Sequence, residues 1–292
     1  MSTSKTRPAS RPKPAIRAPV ESGPGPCLKE YAIAELARAG RQLARPGDKR
    51  HEGVHEARKS IRRARAVIAL SERRLGKTGR RVERRLRELA RTLSALRDAQ
   101  ALEEVLMHLG EARALPRADV ARLLVPVRAR KRDALAAALA EDPGLALRRA
   151  ALADANAALL RLDWRRVDAR DLARAHDRSV AELHAALGAA RTEPDPEAWH
   201  RFRRRLRRLR QQETALAECA PGAVPPTPGL GALADAMGLA QDYALLIAHL
   251  DEHGPFSPRD RAALKRRLLP RYRRAVLDAS ATLARDSPES RA

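Results

Sequence analysis

The stretch that most narrows what this chain can fold into is His51–Leu70, reading HEGVHEARKSIRRARAVIAL. Val54, Ala57, Ile61, Ala64 and Ile68 recur at spacings of three, four, three and four, which predicts an α-helix with one buried stripe. At 3.6 residues per turn, His55, Arg58, Lys59 and Arg62 gather within an arc of about 100° on the opposite side. No acidic residue lies between Arg58 and Leu70 to neutralise that face. Such a surface either holds something anionic or is a solvated exterior.

The device recurs at Trp199–Arg210, WHRFRRRLRRLR, at an offset of 200 − 55 = 145 residues. The offset places His200 on His55, Arg203 on Arg58, Arg204 on Lys59, Arg207 on Arg62, Arg208 on Arg63 and Arg210 on Arg65. The stripe matches as well, with Trp199, Phe202, Leu206 and Leu209 on Val54, Ala57, Ile61 and Ala64. A looser echo follows each copy: LSALRDAQALEEVL at Leu93–Leu106 resembles MGLAQDYALLIAHL at Met237–Leu250, with Asp98 opposite Asp242. Arginine is 51 of 292 residues, so matched arginines alone count for little. The shared histidine and apolar stripe carry the argument for an internal duplication.

These residues resemble the CHAD domain, the conserved histidine α-helical domain. The resemblance rests on V-H-x-x-R-K-x-x-R-R-x-R at Val54–Arg65, on its second copy at His200–Arg210, and on the L-x-x-x-R-D segment ending at Asp98. It covers residues 28–286. It implies an all-α fold of two pseudo-symmetric antiparallel helical bundles, divided at about 28–142 and 143–286. Their basic central surface is expected to bind inorganic polyphosphate, with recruitment to polyphosphate granules in the cytoplasm. Carried onto this sequence, the binding residues are His55, Arg58, Lys59, Arg62, Arg63, Arg65, Arg97, His200, Arg203, Arg204, Arg207, Arg208 and Arg210. Gln241 stands where Arg97 stands in the first half, so the two sides are unequal.

Composition agrees with helices and with an acidic partner. The chain is 44% hydrophobic but only 2% aromatic, without alternating β-branched runs, which favours Leu/Ala helix packing over a sheet. The formal charge is 59 − 36 = +23, a bias that predicts electrostatic capture of polyanions rather than any one fold. Cys27 and Cys219 stand far apart and suggest neither a disulfide framework nor a metal cluster, so a reducing, intracellular setting is expected.

Residues 1–27 read as a disordered basic, Pro-rich tail: Pro8, Pro12, Pro14 and Pro19 forbid an amphipathic helix, and no apolar signal region exists. No segment reads as the ~20 apolar residues that cross a bilayer, so no membrane partner is expected. The predicted helices are Leu28–Ala44, Asp48 to about Leu75, Arg80–Leu109, Ala118–Ala140 with a kink at Pro126, Leu145–Leu162, Asp168–Ala190, a second organising helix capped by Asp195-Pro196, Leu233–Leu250, and Arg259–Leu283 kinked at Pro270. Breaks are expected at Gly76–Gly79, Asp142-Pro143-Gly144 and Pro221–Gly231. On the long third helix Glu83 and Glu88 interleave with arginines, so that face is expected to neutralise itself. The last helix, with Arg266, Arg267 and Arg271, is a possible outer wall of the basic site.

Polyphosphate presents closely spaced oxygens without bases or sugars, so recognition needs many cations along a groove. Guanidinium suits this, because its forked donors engage two oxygens at once and it keeps its proton. His55 and His200 could donate to a phosphate oxygen once protonated. Nucleic acid is the second-ranked partner: the charge favours it equally, but two Trp, three Tyr and two Phe are few for base stacking, and Trp199 and Phe202 belong to the apolar stripe. His51-Glu52-Gly53-Val54-His55 matches H-E-x-x-H and His249–His253 matches H-x-x-E-H, both zinc-peptidase patterns. Both read as coincidence. His51 faces Pro196 in the second copy, and a dication there would sit beside Arg58, Lys59 and Arg62. No Gly-rich phosphate loop, nucleophile elbow or E-x-E-x-K stretch is present, so binding without turnover, cofactor or metal is expected.

Overall fold

The computed structural model describes residues 23–47, 49–192, 196–251 and 254–286, and in them the chain is all-α. Ten α-helices follow in order: α1 Pro24–Leu43, α2 Lys49–Leu70, α3 Glu72–Thr92, α4 Ser94–Glu111, α5 Arg117–Glu141, α6 Ala146–Leu160, α7 Ala169–Thr192, α8 Pro196–Cys219, α9 Leu230–Ala248 and α10 Pro258–Asp286. Two short 3₁₀ turns, Pro143–Leu145 and Trp164–Arg166, flank α6, and no strand occurs among the described residues. The part of the expected tail that precedes Gly23 lies outside those residues, and its last part, Pro24–Cys27, forms the first turn of α1. Proline suits that turn, since its missing N–H would find no intrahelical partner there. The expected caps Asp48 and Asp195 also lie outside the described residues.

Two helix boundaries differ from the periodicity reading: the organising helix ends earlier, and the long third helix divides. The organising helix stops at Ser71, and α3 then bends at Gly76, which takes φ 60°, a left-handed conformation open to glycine. The expected long helix Arg80–Leu109 divides at Leu93, where no glycine or proline warns of it. There Leu93 is fully buried, and Arg58 of α2 donates to the Ala90 carbonyl near the end of α3 and to Ser94 Oγ at 3.2 Å. A tertiary guanidinium thus takes over a terminal carbonyl and lets the chain turn. By contrast, α5 and α10 run on past Pro126 and Pro270.

The buried side chains form two clusters. One gathers α1, α2, α3 and α6 with the start of α7 and the end of α8. The other gathers α4, α5, α9 and α10 with the later part of α7 and the earlier part of α8. Packing therefore crosses the mid-chain break at Asp142: α6 lies against α1, while α4 and α9 meet. Asp142 itself is buried and caps α6, accepting from the backbone N–H of Leu147 at 2.8 Å and of Arg148 at 3.2 Å. Helix α1 packs closely on α2, where a Cβ added to Gly53 would stand 2.2 Å from the Gln42 carbonyl oxygen. No side chain fits there.

Cys27 and Cys219 correct the reading of isolated thiols. They form a disulfide across 192 residues, with Cα atoms 5.4 Å apart, fastening the start of α1 to the end of α8. The cysteine count thus no longer argues for a reducing compartment. A second correction concerns α9, which is long and apolar enough by length and composition to cross a bilayer. Its Leu230, Leu233, Met237, Ala240, Tyr243 and Leu246 are buried in the second cluster.

A candidate polyanion cradle at the seam between the two cores

The stripe of α2 (Val54, Ala57, Ile61, Ala64) is wholly buried in the first cluster, and that of α8 (Trp199, Phe202, Leu206, Leu209) in the second. Each helix commits its apolar side to a different core. Their cationic faces are left to the seam between the cores, where α2 packs on α8 and both α2 and α9 meet α4. Gln212 of α8 marks the junction, its buried Nε2 donating to the Ala66 carbonyl of α2 at 3.4 Å.

Five guanidinium groups converge there. Arg62 feels the charges of Arg207, Arg58, Arg97 and Arg203; Arg207 feels Arg58 and Arg97; Arg203 feels Arg207 and Arg97. Burial first, and these like charges second, push Arg62 down to about 8 and Arg203 down to about 9. Burial likewise lowers Arg58 and Arg207. Arg62 and Arg203 still carry their proton at neutral pH. Half-buried cations in mutual repulsion are costly, and an anion among them relieves the cost.

The donors are ready for such an anion. The buried Nε–H of Arg58, Arg62 and Arg207 has no hydrogen-bond partner within the protein. Arg97 Nη1 lies 3.0 Å from Glu104 Oε2 without hydrogen-bond alignment. Buried polar groups are seldom left unpaired, so a cluster of them calls for an explanation. Two carboxylates keep the cluster together. Asp98 offsets the loss of charge at Arg58, and Asp242 does so at Arg203. Burial raises the Asp242 carboxyl, while His108, Arg203 and Arg97 pull it down.

Both histidines stand beside the cluster as neutral rings. Burial, then Arg97 and Lys59, pushes His55 down to about 4, and its buried Nδ1 has no hydrogen-bond partner. Burial, then Arg204, lowers His200. Burial first, and the neighbouring cations second, thus keep both rings uncharged at neutral pH.

The remaining sequence-predicted residues are engaged elsewhere. Lys59 donates to Glu56 at 2.7 Å, Arg204 to Glu197 at 3.1 Å and Arg210 to Asp235 at 3.1 Å. Arg63 is drawn to Glu35 at 3.4 Å, Arg65 to Glu83 at 2.7 Å and Arg208 to Glu83 at 3.9 Å. Glu83 also accepts from Arg87 at 2.6 Å, so the α3 face partly neutralises itself. Arg267 pairs with Asp119 at 2.9 Å, and Arg271 donates to the Arg267 carbonyl at 2.9 Å. Arg266 is exposed on the same helix. The periodicity reading did not place Ser94, Asp98 or Asp242 in the site, although the matched R-D and Q-D pairs marked the last two.

The zinc-peptidase patterns gain no support. No group of three or more His, Cys, Asp or Glu residues that could hold a metal occurs among the described residues, and His253 lies outside them. Nor are most of the aromatics free to stack: Tyr31, Trp164, Trp199, Phe202, Tyr243 and Phe256 are buried, and Tyr272 is partly buried.

The sequence profile of the CHAD domain matches residues 30–251. The chain belongs to the CHAD-domain family. Among solved structures, PptA from Streptomyces chartreusis shares the fold, with a TM-score of 0.63 and 21% identity over 90% of this chain and 98% of that one. No curated protein matches. Within this CHAD domain His55 and His200 stand on α2 and α8, the two helices whose cationic faces meet at the seam.

Proposed function

We propose that this CHAD domain binds inorganic polyphosphate in the α2–α4–α8 cradle and leaves the polymer intact. Family membership supports a polyphosphate-related role. The observation that carries the finer reading is the convergence of Arg58, Arg62, Arg97, Arg203 and Arg207 with unpaired inward donors. A chain of phosphates can satisfy several such donors at once, and each phosphate neutralised releases counterions. Under the offset of 145, the close pairs Arg58–Arg207 and Arg62–Arg203 exchange with one another, which supports reading α2 and α8 as copies from a duplication. Nucleic acid is the weaker reading, because base stacking needs exposed aromatics and those of this chain are mostly in the cores. The cellular site of the proposed function is the polyphosphate granule.

The test compares two charge-matched double variants. Arg62→Glu with Arg207→Glu reverses the cradle; Arg81→Glu with Arg85→Glu reverses the exposed face of α3 by the same amount. Titration with labelled polyphosphate should show the first losing at least about 100-fold in affinity and the second about ten-fold or less. Equal losses would mean diffuse attraction to a polycation. Release of orthophosphate during the incubation would overturn binding without turnover, and DNA competing equally at matched charge would favour the second reading.

A further inference from the structure

A groove of about 1020 Å³ lies between the α4–α5 corner and α10. It is distinct from the cradle: Arg97 and Gly110 are 13 residues apart on α4, about 20 Å along the helix axis. Its floor is apolar, made by Leu115, Val120 and Leu124, with Met107 at 44% exposure beside them. Its rim is cationic, with Arg113 and Arg117 from the corner and Arg267 and Arg271 from α10, against one acid, Glu111. The two walls are joined by side chains rather than by close backbone packing. Arg267–Asp119 and Arg122–Asp260 are the ion pairs across the gap.

The corner shows a second anomaly. Helix α4 ends in a Schellman arrangement, the Ala114 N–H reaching the Leu109 carbonyl at 2.8 Å and the Arg113 N–H the Gly110 carbonyl at 3.1 Å. The residue in the left-handed position of that motif is usually glycine; here it is Arg113, at φ 56°. A strained backbone that puts a charge on the lip of a groove is a pattern associated with function. Polyphosphate has no apolar body to offer Met107 and Leu124. A small amphiphile would leave much of itself in water, because the groove is open along one side. The occupant that matches an open apolar floor between cationic rims is an amphipathic helix with an acidic polar face.

We infer that the groove between the α4–α5 corner and α10 docks an acidic amphipathic helix of a protein partner. Met107, Leu115 and Leu124 receive its apolar side, and Arg113, Arg117 and Arg271 face its carboxylates. This assignment stands independently of polyphosphate binding.

The probe is a labelled sixteen-residue peptide with leucine at i, i+3, i+4 and i+7 and glutamate elsewhere, set against a scramble of the same composition. At about 0.15 M salt, where diffuse attraction is screened, the ordered peptide should bind the full chain at least about ten-fold more tightly than the scramble. Met107→Gln keeps charge and length and should cost about ten-fold. Arg113→Gly suits the left-handed backbone, so it should fold at least as well as the parent while weakening the peptide several-fold. Both variants should leave polyphosphate affinity within about two-fold, since neither side chain faces the cradle. The assignment fails if the scramble binds equally or if Met107→Gln has no effect. It fails also if excess polyphosphate displaces the peptide, or if dodecanoate binds the groove and the peptide does not.

Discussion

Removing one cation from the cradle should make the protein more stable and worse at its task. Arg62 is the sharpest case, since it is surrounded by four other guanidinium groups and its Nε–H is unpaired. The depression from 12.5 to about 8 corresponds to roughly 6 kcal/mol against the charged form, burial first and like charges after. Side-chain rearrangement absorbs part of that. Neutral apolar replacements of buried charges are typically worth about 1–4 kcal/mol, so Arg62→Met is expected to stabilise by about 1–3 kcal/mol. At about 2 °C per kcal/mol for a chain of this size, the melting temperature should rise by about 2–6 °C. Binding moves the other way. A lost charge-assisted hydrogen bond is worth about 1.5–3 kcal/mol, so affinity for polyphosphate should fall ten- to a hundred-fold and the salt slope by about one. The contrast is Arg58→Met. Arg58 also holds the Ala90 carbonyl and Ser94, so its loss should lower the melting temperature. Calorimetry and salt-dependent titration on the two variants decide the matter. If Arg62→Met melts lower and binds as before, Arg62 is a structural residue and the cradle is misassigned.

The remaining predictions concern other links of the chain from sequence to function. Reduction of Cys27–Cys219, or Cys27→Ser with Cys219→Ser, should cost about 2–4 kcal/mol, near 5 in a pure chain-entropy estimate for 192 residues, read by denaturant melts after thiol titration. His55 is neutral in the free protein, with a pKa of about 4, and bound phosphate must raise it. Binding should therefore take up protons, and affinity should increase as pH falls below the raised value and level off below about 4; flat affinity from pH 8 to 5 would exclude the histidine. Gly53→Ala drives a Cβ to within 2.2 Å of the Gln42 carbonyl oxygen, so it should destabilise by about 1–3 kcal/mol despite the better helix propensity of alanine, measured by urea unfolding.

Much of this was legible in the residues because helices advertise themselves by period. The stripes of α2 and α8 are buried at the positions their spacing requires, and the breaks at Asp142–Gly144 and before Leu230 sit at turn residues. What could not be read was set by partners distant in the chain. The break at Leu93 depends on a guanidinium 36 residues earlier than Ser94. The disulfide depends on α1 and α8 meeting, and the crossing of the two cores depends on α6 returning to α1. Within the site, spacing put every cation of a helix face on equal terms. The fold separates them: Arg58, Arg62, Arg203 and Arg207 point into the seam, whereas Arg63, Arg65, Arg204 and Arg210 find carboxylates on other helices or on their own. That division follows from which acids are near in space, and period alone is blind to it.

A crystal structure of the protein soaked with a short linear polyphosphate tests the central claim most directly. Phosphate density bridging Arg62 of α2 and Arg207 of α8, within hydrogen-bond reach of their Nε atoms, is the predicted result. Density confined to the outer arginines of α3 or α10, with the seam unchanged, would contradict it.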